Sequence, residues 1–335
     1  RTVRDPVGYR DFWGNADKPY QFLAFCYEWE KCDYGRNSMA SSKIPVGLDG
    51  SCNGLQHFSA MLRDEIGATA TNLSNNTSPA DIYGEVAKVT TAKLLGLSDP
   101  RAAIWLRVGI DRKCAKRPVM TLPYGATQQS CRQYIMEYVI ENWVKFDLDD
   151  KLQFDMAKFL TPILWKSIGE VVIAARGAMT WLQKNTTADF MKWLTPLGFP
   201  VYQYYQKTKT IEVRTQIAGG CRLLIQDYED AVPNKVGQRN GVAPNFVHSI
   251  DSTHMVMTIN TMGDECLAMI HDDFGTHAGY TEKLFVNIRT AFLDLYTNHN
   301  PLEEWAEQVG VDKETLPKYG NYNIDEIINA SYFFG

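Results

Sequence analysis

Two short stretches, far apart in the chain, each run directly into an acidic residue, and they constrain the fold more than any other feature. Lys43-Ile44-Pro45-Val46-Gly47-Leu48 reads as a strand ending at Asp49. Cys266-Leu267-Ala268-Met269-Ile270 reads as an apolar strand ending at His271-Asp272. A carboxylate at a strand end, followed by small residues such as Gly50-Ser51, sets its oxygens in open space where a cation can sit. An acid closing a buried strand costs desolvation energy unless a cation or a donor meets it. Asp49 and Asp272 are therefore the two carboxylates singled out as candidate cation ligands. The competing role for Asp49-Gly50-Ser51 is a helix cap, the commoner use of such a triplet.

Between these acids lies a cationic stretch, Gly109 to Gly125. Arg112, Lys116 and Tyr124 fall four and then eight residues apart, which at about 100° per residue puts them on one helix face. Two fixed cations followed by an aromatic hydroxyl suit the grip of a triphosphate and the reading of the sugar behind it. Pro118 and Pro123 each remove a backbone donor, so a straight helix through Tyr124 does not follow from the pattern. Alone, an R-x3-K pair reads as a solvated basic face. The net charge is −5, yet Arg101, Arg107, Arg112, Lys113, Lys116 and Arg117 face only Asp111 within residues 101–117. That concentration in an acidic chain fits a focused anion site better than a general nucleic-acid coat.

The 335 residues suffice for one large or two ordinary domains. No apolar run approaches the ~20 residues of a membrane span. The opening Arg1-Thr-Val-Arg-Asp lacks the apolar core of a signal peptide. The first residue is not Met, so the chain is expected to be a piece of a longer polypeptide. Seven cysteines without a C-x-x-C pair read as reduced thiols, not as a zinc site or a disulfide framework. There is no H-E-x-x-H motif for zinc hydrolysis.

Periodicity predicts a buried helix over Phe22–Trp29. Ser78-Pro79 is expected to open a helix with Ile82, Val86 and Val89 inward, and Ser98-Asp99-Pro100 another carrying Trp105 and Leu106. Residues 151–194 read as helical, with Ile163, Leu164, Ile168, Val171, Val172 and Ala175 in the core. Val201–Tyr205, Ile211–Ile217 and Cys221–Ile225 read as strands with a Gly219-Gly220 hairpin turn. Arg214 and Arg222 flank that turn, a pattern that by itself marks only a solvated edge. Pro244 is expected to start a helix holding His248 and Asp251 on one face, with His248 by itself reading as a structural histidine. A last long helix covers Thr281–Thr297.

Four motifs in this order resemble the single-subunit DNA-dependent RNA polymerases of bacteriophages and mitochondria. Asp49-Gly50-Ser51 with Gln56-His57-Phe58 matches the first palm motif. Arg112-x3-Lys116-Arg117-x2-Met120-Thr121-x2-Tyr124-Gly125 matches the fingers motif. Pro244-Asn245-Phe246-Val247-His248-Ser249 matches a further segment, and His271-Asp272 with Phe274-Gly275-Thr276 matches the second palm motif. The similarity runs from about Phe22 onward and is strongest with the phage enzymes.

The resemblance implies an α+β fold: a right-hand polymerase core with an antiparallel palm sheet and mostly helical fingers. Residues 1–66 would be the first palm part, 67–200 the fingers, 201–230 a hairpin resembling the promoter specificity loop, and 231–335 the second palm part with the C-terminal segment. It implies transcription by two-metal nucleotidyl transfer, with Asp49, Asp272 and the Gly50 carbonyl holding two Mg²⁺ ions. Arg112, Lys116 and Arg117 would bind the triphosphate, and Lys116 would protonate the leaving group. Tyr124 and His248 would read the ribose 2′ hydroxyl. The lack of a bulky acid near Gly54, where a related DNA polymerase carries a blocking Glu, would leave room for that hydroxyl. Arg222, Arg214 and His271 would touch nucleic acid, Arg222 as the base-reading side chain.

Implied partners are a DNA template, an RNA transcript, ribonucleoside triphosphates and the N-terminal part of the polymerase, with no membrane. The implied location is the cytoplasm of an infected bacterial host, with the mitochondrial matrix second. Asp273 departs from the Ser common in phage relatives and adds a charge beside the metals. The family chain is more than twice as long, so this one resembles its C-terminal half. The alternatives are a related DNA polymerase or a non-catalytic nucleic-acid-binding fragment. A metal-dependent nuclease would share the acids but has no need of Arg112, Lys116 and Tyr124 together.

Overall fold

The computed structural model describes residues 1–37, 41–146, 150–187, 189–216, 219–263 and 265–334. In chain order its main elements are α1 (Arg10–Gly14), α2 (Pro19–Lys31), β1 (Val46–Asp49), α3 (Asn53–Leu62), α4 (Glu65–Ala70), α5 (Ile82–Leu95), α6 (Pro100–Val108), α7 (Arg112–Met120), α8 (Gln128–Glu141), α9 (Trp143–Phe146), α10 (Asp150–Val171) and α11 (Ile173–Lys184). There follow β2 (Met191–Leu194), β3 (Pro200–Gln203), β4 (Gln206–Thr215), β5 (Cys221–Pro233), α12 (Lys235–Met262), β6 (Leu267–Ile270), β7 (Asp273–Thr276), α13 (Thr281–Asn298) and α14 (Pro301–Val309). Helices with small antiparallel sheets make this an α+β chain. No helix is long and apolar enough to cross a membrane among the described residues.

The chain forms two units, one of Arg1–Gly50, Met255–Ala291 and Phe334–Gly335, the other of Ser51–His254 and Phe292–Phe333. The first unit contains a three-stranded antiparallel sheet in the order β1-β7-β6. Side chains alternate across such a sheet. Phe274 is fully buried and meets Phe334 edge-on at 5.3 Å, while its neighbour Asp273 is exposed. Phe274 therefore marks the buried face, and Asp49 and Asp273, directly opposite each other, share the other.

In the second unit α10 packs on α5 and α8, and α7 packs on the same two helices. Trp105 sits fully buried in this unit, edge-on to Phe146 at 4.8 Å. Truncating a tryptophan so placed costs about 3–5 kcal/mol. Asp99 caps α6 as its sequence indicates, accepting from the Arg101 amide, and Asp111 caps α7 by accepting from the Cys114 amide at 3.0 Å.

Several local expectations are corrected. α2 forms but buries none of its residues, and Phe25 and Trp29 stack on each other at 6.0 Å while about half exposed. Its aromatic contacts with α1, Phe12 to Phe22 and Trp13 to Tyr20 at 5.7 Å each, leave this apolar helix largely open. α5 begins at Ile82, not at Ser78-Pro79, and its N-cap Asp81 makes no capping bond because its carboxylate accepts from Arg112. Residues 191–194 form a strand paired with β3. Pro244 lies inside α12, which starts at Lys235. Ile217 lies outside the described residues.

Candidate active site

In the first unit β1 and β7 pair with Asp49 directly opposite Asp273, and β6 and β7 pair with Ile270 opposite Asp273. The Gly50 amide donates to the Asp272 carbonyl at 3.2 Å. Asp49, Asp272 and Asp273 therefore gather at one end of one sheet. Like charges directly opposite on neighbouring strands destabilise a sheet unless a cation offsets them. The arrangement has a second signature at Gly47, where an added Cβ would lie 2.5 Å from the Asp273 Oδ1. Only glycine leaves that carboxylate its place.

The two-residue turn between β6 and β7 is His271-Asp272, with His271 at φ +58°. Glycine is the usual residue for a positive φ at the first turn position, and a side chain there is strained. The His271 Nδ1 lies 2.8 Å from the Asp272 Oδ1, so the ring of this turn is fastened to the carboxylate beside it. β6 is not the buried strand expected: Ile270 is 74% exposed. What singles out Asp272 is thus its gathering with other acids, not desolvation. Among the described residues no group of three or more His, Cys, Asp and Glu side chains assembles as metal ligands. The donor set at this end of the sheet is one of carboxylates and backbone carbonyl, the hard oxygens that suit Mg²⁺.

In the second unit α7 carries the cations. Arg112 donates from Nε to the Asp81 Oδ1 at 3.1 Å and lies over the Tyr83 ring at 4.9 Å. Arg117 pairs with Glu137 of α8 and lies over Tyr134 at 4.6 Å. Lys116 is exposed and makes no ion pair among the described residues. Of the three expected phosphate contacts, then, two are already engaged within the protein and Lys116 is available.

Tyr124 is not on the helix, which ends at Met120; it follows in a turn whose Tyr124 amide donates to the Thr121 carbonyl at 3.2 Å. Pro123 cannot continue an α-helical ladder, which is the physical reason. The Tyr124 ring nevertheless stacks on His248 of α12, with centroids 4.5 Å apart and planes 15° from parallel. An added Cβ at Gly54 of α3 would lie 2.8 Å from the Pro123 Cβ and 3.0 Å from the Tyr124 Cζ. The room that glycine provides at residue 54 is taken by the Tyr124 turn itself.

The profile of the DNA-dependent RNA polymerase family matches residues 1–312. This chain belongs to that family. It is 32% identical to T7 RNA polymerase of Escherichia phage T7 over 96% of this chain and 43% of the relative. It is 35% identical to the chloroplastic DNA-directed RNA polymerase 3B of Nicotiana tabacum, over 99% and 36% respectively. Against the DNA-directed RNA polymerase of Pseudomonas phage phiKMV it is 33% identical over 98% and 42%. The chain thus spans less than half the length of these curated relatives.

Elsewhere in this polymerase-family chain, β4 and β5 form a hairpin that pairs with no other strand among the described residues. Arg214 and Arg222 stand directly opposite each other, and both approach the Glu212 Oε1, at 3.0 and 3.6 Å. Leu223, Leu224 and Ile225 are exposed. A two-stranded ribbon with this much open apolar surface is marginal alone and gains from a partner.

Sequence reasoning missed a buried polar cluster under α3. His57, Asp251 and Tyr296 are almost wholly buried, and Asn53 donates from Nδ2 to the Asp251 Oδ1. The Tyr296 hydroxyl lies 2.6 Å from the His57 Nδ1. Burial pushes the Tyr296 pKa well up, so the hydroxyl keeps its proton. The His57 Nε2 lies 3.7 Å from the Asp251 Oδ1. Polar residues at Asn53, Gln56 and His57 within an otherwise apolar helix were the available signal.

Proposed function

We propose that this chain is the catalytic part of an enzyme that synthesises RNA on a DNA template. Its right-hand core would have palm segments at 1–66 and 231–335, helical fingers at 67–200 and a promoter-reading hairpin at 201–230. The observation that carries the reading is the gathering of Asp49, Asp272 and Asp273 at one sheet end, in a chain of the polymerase family. Repulsion of this kind supports a role in holding divalent cations.

Asp49, Asp272 and the Gly50 carbonyl are the groups that would hold two Mg²⁺ ions. When bound, such ions lower the pKa of an attacking hydroxyl and offset charge on a triphosphate. Lys116 neutralises the phosphates and donates a proton to the departing pyrophosphate. Arg112, partly offset by Asp81, adds positive field; Arg117 supports the same helix through Glu137. Tyr124 and His248 bind the ribose edge, with the stacked rings presenting a flat, rigid wall to the sugar. Arg222, Arg214 and His271 contact nucleic acid. Substrates and partners are ribonucleoside triphosphates, template DNA, the transcript and the N-terminal part of the polymerase, in the cytoplasm of a phage-infected bacterium.

Primer extension on an RNA–DNA hybrid with Mg²⁺ and ribonucleotides, with and without an N-terminal partner chain, tests this. Template-directed addition of ribonucleotides is the expected result. Preference for deoxyribonucleotides would instead identify a DNA polymerase, and hybrid binding with no extension under either condition a non-catalytic fragment.

A further inference from the structure

The buried cluster under α3 is linked to the sugar-reading pair by a closed ring of contacts. Two adjacent residues of α3 take part. Asn53 donates to Asp251 of α12, and Gly54 lies against Pro123 and Tyr124. Tyr124 in turn stacks on His248, which stands one helical turn before Asp251 on α12. The ring therefore runs from Asp251 to Asn53, Gly54, Tyr124, His248 and back along α12.

The space available to the Tyr124 ring depends on the separation of α3 and α12. Gly54 sets one side of it and His248 touches the other. The Asn53–Asp251 bond spans that separation at a buried position, where water cannot replace it; both residues are nearly fully buried. The His57 Nε2 approaches the same Asp251 oxygen to 3.7 Å, and its Nδ1 lies 2.6 Å from the Tyr296 hydroxyl. A hydrogen bond to a buried carboxylate is among the stronger and more directional ones available.

We infer that Asn53 and Asp251 are positioning residues that set the width of the slot holding Tyr124 against His248, and so control ribose discrimination. The inference rests on the polymerase reading above. Neither side chain touches the nucleotide; both act through Tyr124.

The test compares wild type with Asn53→Ala, Asp251→Asn and Tyr124→Phe in the polymerase that carries this chain. The measurement is kcat/KM for a ribonucleotide divided by that for the matching deoxyribonucleotide, alongside a thermal melt. Asn53→Ala is expected to lower this ratio about tenfold, the worth of one charge-assisted hydrogen bond. Combining Asn53→Ala with Tyr124→Phe is expected to lower it no further than Tyr124→Phe alone, because both changes act at one slot. Asp251→Asn, which keeps shape and can still accept, is expected to lower the ratio less, and it serves if Asn53→Ala does not fold. A ratio unchanged in folded variants whose melting point falls would show a purely structural role and overturn the inference. Fully additive effects with Tyr124→Phe would also overturn it. A wild type that adds no ribonucleotide sinks the polymerase reading itself, a failure recognisable before any variant is made.

Discussion

The acid end of the β1-β7-β6 sheet and the basic helix α7 handle charge in opposite ways. On the sheet, Asp49 faces Asp273 across a strand pair and Asp272 sits beside them. On α7 the cations are spread out and both arginines are matched, Arg112 with Asp81 and Arg117 with Glu137, while Lys113 and Lys116 make no ion pair among the described residues. A protein that collects like charges does so for a ligand of the opposite sign, whereas one that disperses and matches them is stabilising itself. The contrast separates a site where like charges are gathered from a helix whose arginines are matched by acids of neighbouring segments.

The largest expected effect is at the collected acids. Asp272→Asn should lower elongation by at least about a thousandfold, as several kcal/mol of charge stabilisation are lost, with hybrid binding nearly unchanged. Elongation that survives this change would break the contrast at its strongest point.

Next comes the difference within α7. Lys116→Ala is expected to lower kcat about a hundredfold through loss of the proton donor and phosphate charge. Arg117→Ala should cost roughly 0–1 kcal/mol of stability, the usual worth of an exposed pair. Equal losses of rate in the two variants would mean that internal pairing says nothing about availability.

Tyr124→Phe should lower ribose discrimination about tenfold while slowing synthesis much less, since one hydroxyl is removed and the stacked ring remains. Incorporation ratios for paired ribo- and deoxyribonucleotides decide it, and an unchanged ratio removes Tyr124 from the sugar site.

The smallest effect sharpens the sheet side. Asp273→Ser removes the charge opposite Asp49 and should raise the metal-free melting temperature by roughly 1 °C, from about 0.5 kcal/mol of relieved repulsion. Wild type should then gain more from added Mg²⁺ than the variant does. A melting point that falls in the variant would show that the Asp49–Asp273 pairing is not repulsive.

How much of this was legible beforehand differs from element to element. The strands into Asp49 and into His271-Asp272 were readable because strand ends, small residues and acids are local signals, whereas β7 (Asp273–Thr276) was not, its place being set by pairing with β1. The helix at Pro100 was readable because Asp99-Pro100 is a local start signal. The onset of α5 was not, since Asp81 gave its carboxylate to Arg112, a residue on another helix. α12 ran through Pro244 and began nine residues before it, with Gln203 meeting Gln238 of its first turns at 2.7 Å. The exposure of α2 was equally hidden, because a pattern of apolar residues shows which residues could pack but not whether anything covers them.

For this chain, residue order alone determined the helices with local caps, the acids at strand ends, the basic run from Arg101 to Arg117 and the family resemblance built on them. Only the tertiary structure decided that Arg112 and Arg117 of α7 are paired within the protein while Lys116 makes no ion pair among the described residues, that Gly54 makes room for Tyr124, and that Asn53 is tied to Asp251. Each of these depends on what stands opposite a side chain, and that neighbour comes from a part of the chain too distant for any periodicity to reveal.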